Sequence, residues 1–307
     1  MKLLMTGGTG LIGRALIERL QHQYEVHVLS RNKTRAYQKL GHAVHVWEDF
    51  TELPDMSEFD AVINLQGEPI ADKRWSDKQK QVIESSRWQI TEQLSQAIQH
   101  APQPPKVFIS GSAIGYYGSE AGPASRHLDE QSAPLCRDSD NDFAHQLCQT
   151  WEQLALSADS DKTRVCVLRT AVVLAAKGGA LEKMKLPYQL GLGGPLGDGL
   201  QPFSWIHIDD MVGIILYLLE NPSCRGAFNA SAPNPLPQYE FSAALAKALH
   251  RPHLMRVPAF ILRAALGEMS EMLLRGQAVI PAAIQQAGYR FRYETVDSAL
   301  KALFHRS

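Results

Sequence analysis

Three glycines near the start of the chain have the spacing of a phosphate-binding turn. In Thr6-Gly7-Gly8-Thr9-Gly10-Leu11-Ile12-Gly13 the pattern is G-x-x-G-x-x-G. It follows the apolar run Leu3-Leu4-Met5 directly and precedes a helical pattern with Leu11, Ile12, Ala15, Leu16 and Leu20 on one face. Gly7 lets the chain turn off the strand, Gly10 lets backbone N–H groups approach a pyrophosphate without an intervening Cβ, and Gly13 lets the helix pack close to the sheet. The anion then rests on the helix N-terminus, where unpaired N–H groups and the helix dipole both favour negative charge. A glycine triplet alone is weak; its place between a strand and a helix makes it a dinucleotide site.

A second chemical signal sits at the end of the strand Glu25–Ser30. A carboxylate there would accept from both ribose hydroxyls of NAD, whereas an arginine suits the 2′-phosphate of NADP. The residue is Arg31, with Lys33 and Arg35 nearby, so the expected cofactor is NADP(H). Leu65-Gln66-Gly67, at the carboxyl end of a continuous apolar strand from Phe59, should lie beside it.

These residues need a parallel sheet to hold them. Strands are expected at Leu3–Met5, Glu25–Ser30, Val44–Trp47, 59–67, Val107–Ala113 and Val165–Arg169, with helices at Ser76–His100 and Phe143–Ala158 between them. This alternation predicts a doubly wound α/β fold. Residues 177–202 are rich in Gly and Pro and read as an excursion from the sheet, a lid. Ser204–Asp210 reads as a strand leading into a helix Met211–Glu220, with His207, Asp209 and Asp210 as a structural cap and loop anchor at the helix start. The expected division is a dinucleotide-binding domain over 1–170, rejoined by 204–231, and a smaller, mostly helical domain from 171–203 and 232–307.

Composition excludes several classes. The 307 residues carry 31 basic and 32 acidic side chains, so nothing points to nucleic acid as a partner. The four cysteines (Cys136, Cys148, Cys166, Cys224) are scattered, with neither a zinc spacing nor a disulfide framework, and no metal is expected. The apolar stretch Met211–Leu219 is too short to cross a bilayer. With no signal peptide, a cytoplasmic protein acting on a small molecule is expected; a homodimer is left open.

The glycine loop, Asp60–Leu65, Ser112 with Tyr117-Gly118, and Trp205-Ile206-His207-Ile208-Asp209-Asp210-Met211 together resemble extended or atypical short-chain dehydrogenase/reductases of the NAD-dependent epimerase/dehydratase type. Gly67–Trp75, Ser86-Arg87-Trp88, Arg169–Leu174, Gly197-Asp198-Gly199, Arg256-Val257-Pro258 and Leu266–Met269 sharpen this to the YfcH-like epimerase-family subgroup with its C-terminal domain. The resemblance spans essentially the whole chain. It implies a Rossmann fold and a triad of Ser/Thr with Tyr-x-x-x-Lys, in which the tyrosine is the acid/base. Ser112 fits the serine. The corresponding helix, Asp142 to Glu152, has no tyrosine followed four residues later by lysine. Stand-ins for the acid/base are Tyr116 or Tyr117, expected to keep a phenol pKa near ~10 without a lysine, and His145 or Cys148, the thiol only if its pKa is lowered. Lys73, Arg74 and Arg87 are candidates for an anion clamp on a small polar, sugar-nucleotide-like substrate. The departure from the triad leaves two functions in view: an oxidoreductase or epimerase with an unconventional acid/base, and a non-catalytic NADP(H)-binding sensor or scaffold.

Arg31 supplies the first test. A charge-assisted hydrogen bond is worth roughly 1.5–3 kcal/mol, or about one to two decades in affinity. Arg31→Ala should therefore weaken NADPH much more than NADH in parallel fluorescence titrations. Equal weakening of both would mean that Arg31 does not read the 2′-phosphate.

Overall fold

A computed structural model of the chain describes residues 1–135 and 142–304. Cys136 and the end of the irregular stretch before Asp142 lie outside the described residues. Seven parallel strands form the central sheet: β1 (Lys2–Thr6), β2 (Glu25–Leu29), β3 (His45–Trp47), β4 (Ala61–Asn64), β5 (Val107–Ala113), β6 (Arg164–Thr170) and β10 (Gly226–Ala230), in the spatial order β10-β6-β5-β4-β1-β2-β3. The order reverses between β1 and β4, so the loops leaving these two strands diverge and open a crevice at their carboxyl ends. This is the expected doubly wound Rossmann architecture.

The strands read as continuous apolar runs because both faces are covered. Leu3, Met5, Val26, Val28, Ile63 and Ile109 pack on the side of α1 (Leu11–Leu20), α2 (Lys33–Leu40) and α6 (Ile208–Glu220). The alternate residues Leu4, Val62, Phe108, Val165 and Val167 pack on the side of α3 (Asp77–His100) and α4 (Phe143–Leu156). Ser76 caps α3 by accepting from the Gln79 N–H at 3.2 Å, and Asp142 caps α4 by accepting from the His145 N–H at 3.0 Å.

The chain beyond β6 departs from the sequence expectation in three places. The strand expected at Ser204–Asp210 is β9 (Trp205–His207), and it pairs with β7 (Val172–Leu174) in a separate two-stranded sheet. β10 joins the central sheet instead, beside β6. The Gly/Pro-rich stretch contains a helix, α5 (Gly179–Gln189), with Pro187 inside it. A second two-stranded sheet, β8 (Pro202–Phe203) with β11 (Leu236–Pro237), is followed by α7 (Gln238–Ala248), α8 (Ala259–Leu266), α9 (Glu271–Leu274), α10 (Ala282–Gln286) and α11 (Val296–Phe304). A core of Leu181, Trp205, Phe241, Leu245 and Leu300 joins α5, β9, α7 and α11.

The cap and the anchor at the start of α6 divide between His207 and Asp210. The helix starts at Ile208, three residues earlier than expected, because the His207 side chain accepts from the Asp209 N–H at 3.0 Å. Asp210 does different work. Its buried carboxylate accepts from the N–H of Arg292 at 2.8 Å and of Tyr293 at 2.9 Å, and from the Tyr289 hydroxyl at 3.1 Å, pinning the C-terminal segment to α6. Asp210→Ala leaves those donors without an acceptor, which should cost about 2–5 kcal/mol. Urea denaturation should show that loss, with new proteolysis near residues 288–295; a midpoint equal to wild type would show that the anchor is dispensable.

Candidate functional site

At the reversal of strand order, the loop after β1 presses on the loop after β4. Gly7 has φ +69°, and a Cβ there would stand 2.5 Å from the Leu65 carbonyl carbon, so a side chain is excluded twice over. A Cβ on Gly13 would meet the Gly7 oxygen at 2.5 Å, which is the close helix packing that the third glycine allows. The Gly10 N–H closes the turn onto the Gly7 oxygen at 3.0 Å. Gly10 is also the N-cap of α1 and offers no side-chain cap, so the first-turn amides of α1 remain available to a ligand. Beneath the loops, the Thr6 hydroxyl donates to Asn64 Oδ1 at 2.6 Å, and Asn64 Nδ2 donates to the Thr91 hydroxyl at 2.8 Å, so the buried polar groups at this point are satisfied.

Gly7, Gly10, Leu11, Ile12, Gly13 and Leu65 line a cleft of about 1820 Å³ along the carboxyl edge of the sheet. Gly8 is buried against Val28 and Ile17, Thr9 sits at the top of the turn, and Gln66 and Gly67 lead away from the lining. Arg31 is exposed just beyond β2 and makes no ion pair among the described residues. The former Gly/Pro-rich stretch covers the cleft through Lys183, Met184, Tyr188 and Leu192.

At the end of β5 the Ser112 hydroxyl faces this cleft and donates to Glu152 Oε1 on α4 at 2.7 Å. Arg169, on β6, grips the same carboxylate bidentately, Nε to Oε1 and Nη2 to Oε2, both at 2.9 Å. Glu152 is 4 % and Arg169 5 % exposed, a buried pair whose charges answer each other. The guanidinium also lies 3.4 Å from the centre of the Tyr116 ring and donates to the Tyr117 hydroxyl at 3.0 Å. Tyr117 in turn donates to Asn229 Oδ1 at 2.8 Å. Sequence reasoning does not single out Glu152 or Arg169. The available signal was a carboxylate on the apolar face of α4 and an arginine ending an apolar strand, since buried opposite charges require one another.

The acid/base stand-ins fare differently. Tyr117 is fully buried, and burial pushes its phenol up to about 12 despite the neighbouring Arg169, above the ordinary value expected from sequence. Cys148 lines the cleft, but burial, reinforced by the Glu152 charge, raises its thiol to about 12, the opposite of what a nucleophile or base needs. His145 is buried, and its Nδ1 donates to the Tyr116 carbonyl at 2.5 Å, away from the cleft lining. Ala144 and Cys148 carry the four-residue spacing on the cleft-facing side of α4, with no phenol or ammonium at either position.

Of the three candidate cations, Arg87 alone lines the cleft. It donates to the carbonyls of Ile83 at 3.0 Å and Glu68 at 2.9 Å, which holds the loop after β4. Lys73 is exposed, 3.8 Å from Glu68, and Arg74 is exposed beside Gly267. Among the described residues, Glu25, His27 and His45 bring potential metal ligands together near the opposite edge of the sheet. Trp47 Nε1 donates to His27 Nδ1 at 3.0 Å, so the imidazole proton sits on Nε2 and is donated to Glu25 at 2.9 Å. That tautomer leaves His27 no lone pair for a cation.

A family model described as the NAD dependent epimerase/dehydratase family matches residues 3–230, and a domain of unknown function, DUF1731, matches residues 257–303. The chain is 39% identical over 316 residues to the chloroplastic epimerase family protein SDR39U1 homolog of Arabidopsis thaliana, covering 99% of this chain and 86% of that one. It is 37% identical over 305 residues to the epimerase family protein YfhF of Bacillus subtilis, covering 99% and 98%. The crystal structure of human epimerase family protein SDR39U1 (isoform 2) with NADPH superposes with a TM-score of 0.89 at 35% identity, covering 100% of both chains. A nucleoside-diphosphate sugar epimerase from Corynebacterium glutamicum gives a TM-score of 0.77 at 28% identity, over 99% of this chain and 58% of that one.

The Glu152–Arg169 pair makes a stability prediction. Glu152→Gln leaves a buried guanidinium without its counter-charge, which should cost about 3–5 kcal/mol. Chemical denaturation measures this directly; a loss below about 1 kcal/mol would mean that water reaches the pair and screens it.

Proposed function

This chain belongs to the NAD dependent epimerase/dehydratase family, and on that premise we propose that it binds NADP(H) in the cleft and performs oxidoreductase or epimerase chemistry on a small molecule held beside Ser112. The observation that carries this reading is the glycine turn feeding the uncapped N-terminus of α1, at the point where strand order reverses. A Cβ at Gly7 or Gly13 would strike backbone, so only glycine closes this turn, and the α1 amides beyond it supply anion-binding donors that fit a dinucleotide pyrophosphate. Arg31, with no ion pair among the described residues and at the end of β2, suits a 2′-phosphate, in keeping with the NADPH in the human relative. When bound, the nicotinamide would give or take hydride.

The chain's own contribution at the reacting centre is Ser112. Its hydrogen is committed to Glu152 and the Cys148 thiol is a further partner, so the lone pair left on Oγ can accept from a substrate hydroxyl. Glu152 and Arg169 fix that orientation. The family and the sugar-nucleotide epimerase of Corynebacterium glutamicum suggest small polar substrates of the sugar-nucleotide kind.

A second reading, a non-catalytic NADP(H) sensor or scaffold, draws support from one observation. The cleft thiol, Cys148, and the nearby phenol, Tyr117, are both held near 12. Neither exchanges a proton readily at neutral pH. Turnover of common sugar nucleotides is accordingly expected to be absent or very slow.

Titration with NADPH tests the shared claim. Wild type should bind, and Gly10→Val, which sets two methyl groups against the pyrophosphate, should bind at least about tenfold more weakly with the fold retained. Failure of wild type to bind removes both readings. Any turnover found should fall in Ser112→Ala; activity indifferent to that substitution would place the chemistry elsewhere.

A further inference from the structure

We infer that Arg87 is an anion anchor in the cleft, and that the substrate is a hydroxy or oxo acid whose carboxylate it holds while the reacting oxygen lies at Ser112. The inference rests on the reading that Ser112 marks the reacting centre, and it narrows the substrate of that site.

A guanidinium carries five N–H donors in one plane. Arg87, on α3, gives two from Nη1, to the Ile83 carbonyl at 3.0 Å and the Ser86 hydroxyl at 3.3 Å, and one from Nη2, to the Glu68 carbonyl at 2.9 Å. The Nε–H and the second Nη2–H have no acceptor among the described residues. The plane itself is fixed. The Trp151 ring lies under the guanidinium, its centre 5.3 Å from Cζ. A Cβ on Gly67 would stand 2.8 Å from the same Cζ, so the group occupies the space that a side chain there would fill.

The acceptors that hold Arg87 are all uncharged. Glu68 offers it a carbonyl and turns its carboxylate to Lys73, at 3.8 Å, and no ion pair reaches Arg87 among the described residues. The charge is half-buried, and burial weighs against it, lowering the guanidinium pKa. An anion arriving from the cleft, which Arg87 lines, offsets that cost. A single charge with two unspent hydrogens, already oriented, matches a carboxylate.

Cys148 connects this anchor to the reacting centre. Its thiol is a hydrogen-bond partner of Ser112 and also feels the Arg87 charge. Arg87 and Ser112 thus flank one side chain, and all three line the cleft. A carboxylate on Arg87 and a carbonyl or hydroxyl at Ser112 are therefore parts of one small molecule.

The test compares benzoylformate with benzoylformamide, which has the same skeleton and no charge, on NADPH-loaded protein by ligand-observed saturation-transfer NMR. Wild type should bind the acid at least about tenfold more tightly than the amide. Arg87→Met should bring the two within about twofold of each other, and Gly67→Ala, which keeps the charge but displaces the guanidinium, should also shrink the preference. NADPH affinity should stay at the wild-type value in both variants. Equal affinities in wild type, or binding of neither probe, overturns the inference. A tenfold loss of NADPH affinity in Arg87→Met would assign the anchor to the cofactor, and inorganic phosphate displacing the acid at equal concentration would make it a phosphate site; either result also overturns it. If Arg87→Met does not fold, wild type and Gly67→Ala decide. Should NADPH fail to bind wild type, the redox reading falls, and the same two probes on the free protein still decide whether Arg87 holds a carboxylate.

Discussion

The site depends on how closely two backbones approach. A Cβ at residue 7 would lie 2.5 Å from the carbonyl carbon of Leu65, and one at residue 13 would lie 2.5 Å from the Gly7 oxygen. These distances exist because β1 and β4 are neighbours while the chain winds outward from them in both directions. A strand pair of that kind leaves its two loops facing each other at the carboxyl edge, and only glycine lets the turn fit between them. From that contact follow the start of α1, the direction of its free amides and the floor of the cleft.

The second organising element is the charge pair one strand further along. Glu152 and Arg169 bind Ser112 on one side and Tyr117 on the other, and Tyr117 reaches Asn229 on β10. One ion pair therefore links β5, α4, β6 and β10 behind the cleft wall. In this arrangement the Ser112 hydroxyl donates to Glu152, and burial raises the Tyr117 phenol. The polar groups here are tied to one another across four elements.

What was legible in the sequence is what depends on near neighbours. The turn at Gly7–Gly13, the double-faced strands and the start of α3 near Ser76 each rest on residues within a few positions, so spacing alone exposes them. The errors concern partners far apart. The raised pKa of Tyr117 depends on its burial, with Arg169 and Asn229, 52 and 112 residues away, as hydrogen-bond partners. β10, Gly-Ala-Phe-Asn-Ala, is too short and too poor in large apolar residues to announce itself; β6 beside it makes it a strand. Asp210 reads as a cap or loop anchor in one dimension, but which loop it anchors, residues 289–293, does not show there. The same blindness hid Glu152, since an acidic residue on a helix reads as solvated until an opposite charge is found beneath it.

Backbone amide exchange with and without NADPH tests the central claim most directly, because it locates the cofactor without needing a substrate. Slowed exchange at Gly10–Gly13, with lesser effects at Leu65–Gly67 and Arg31-Asn32, is the predicted pattern, since bound pyrophosphate would occupy the α1 amides. NADPH binding that protects other segments and leaves Gly10–Gly13 unchanged would contradict the account.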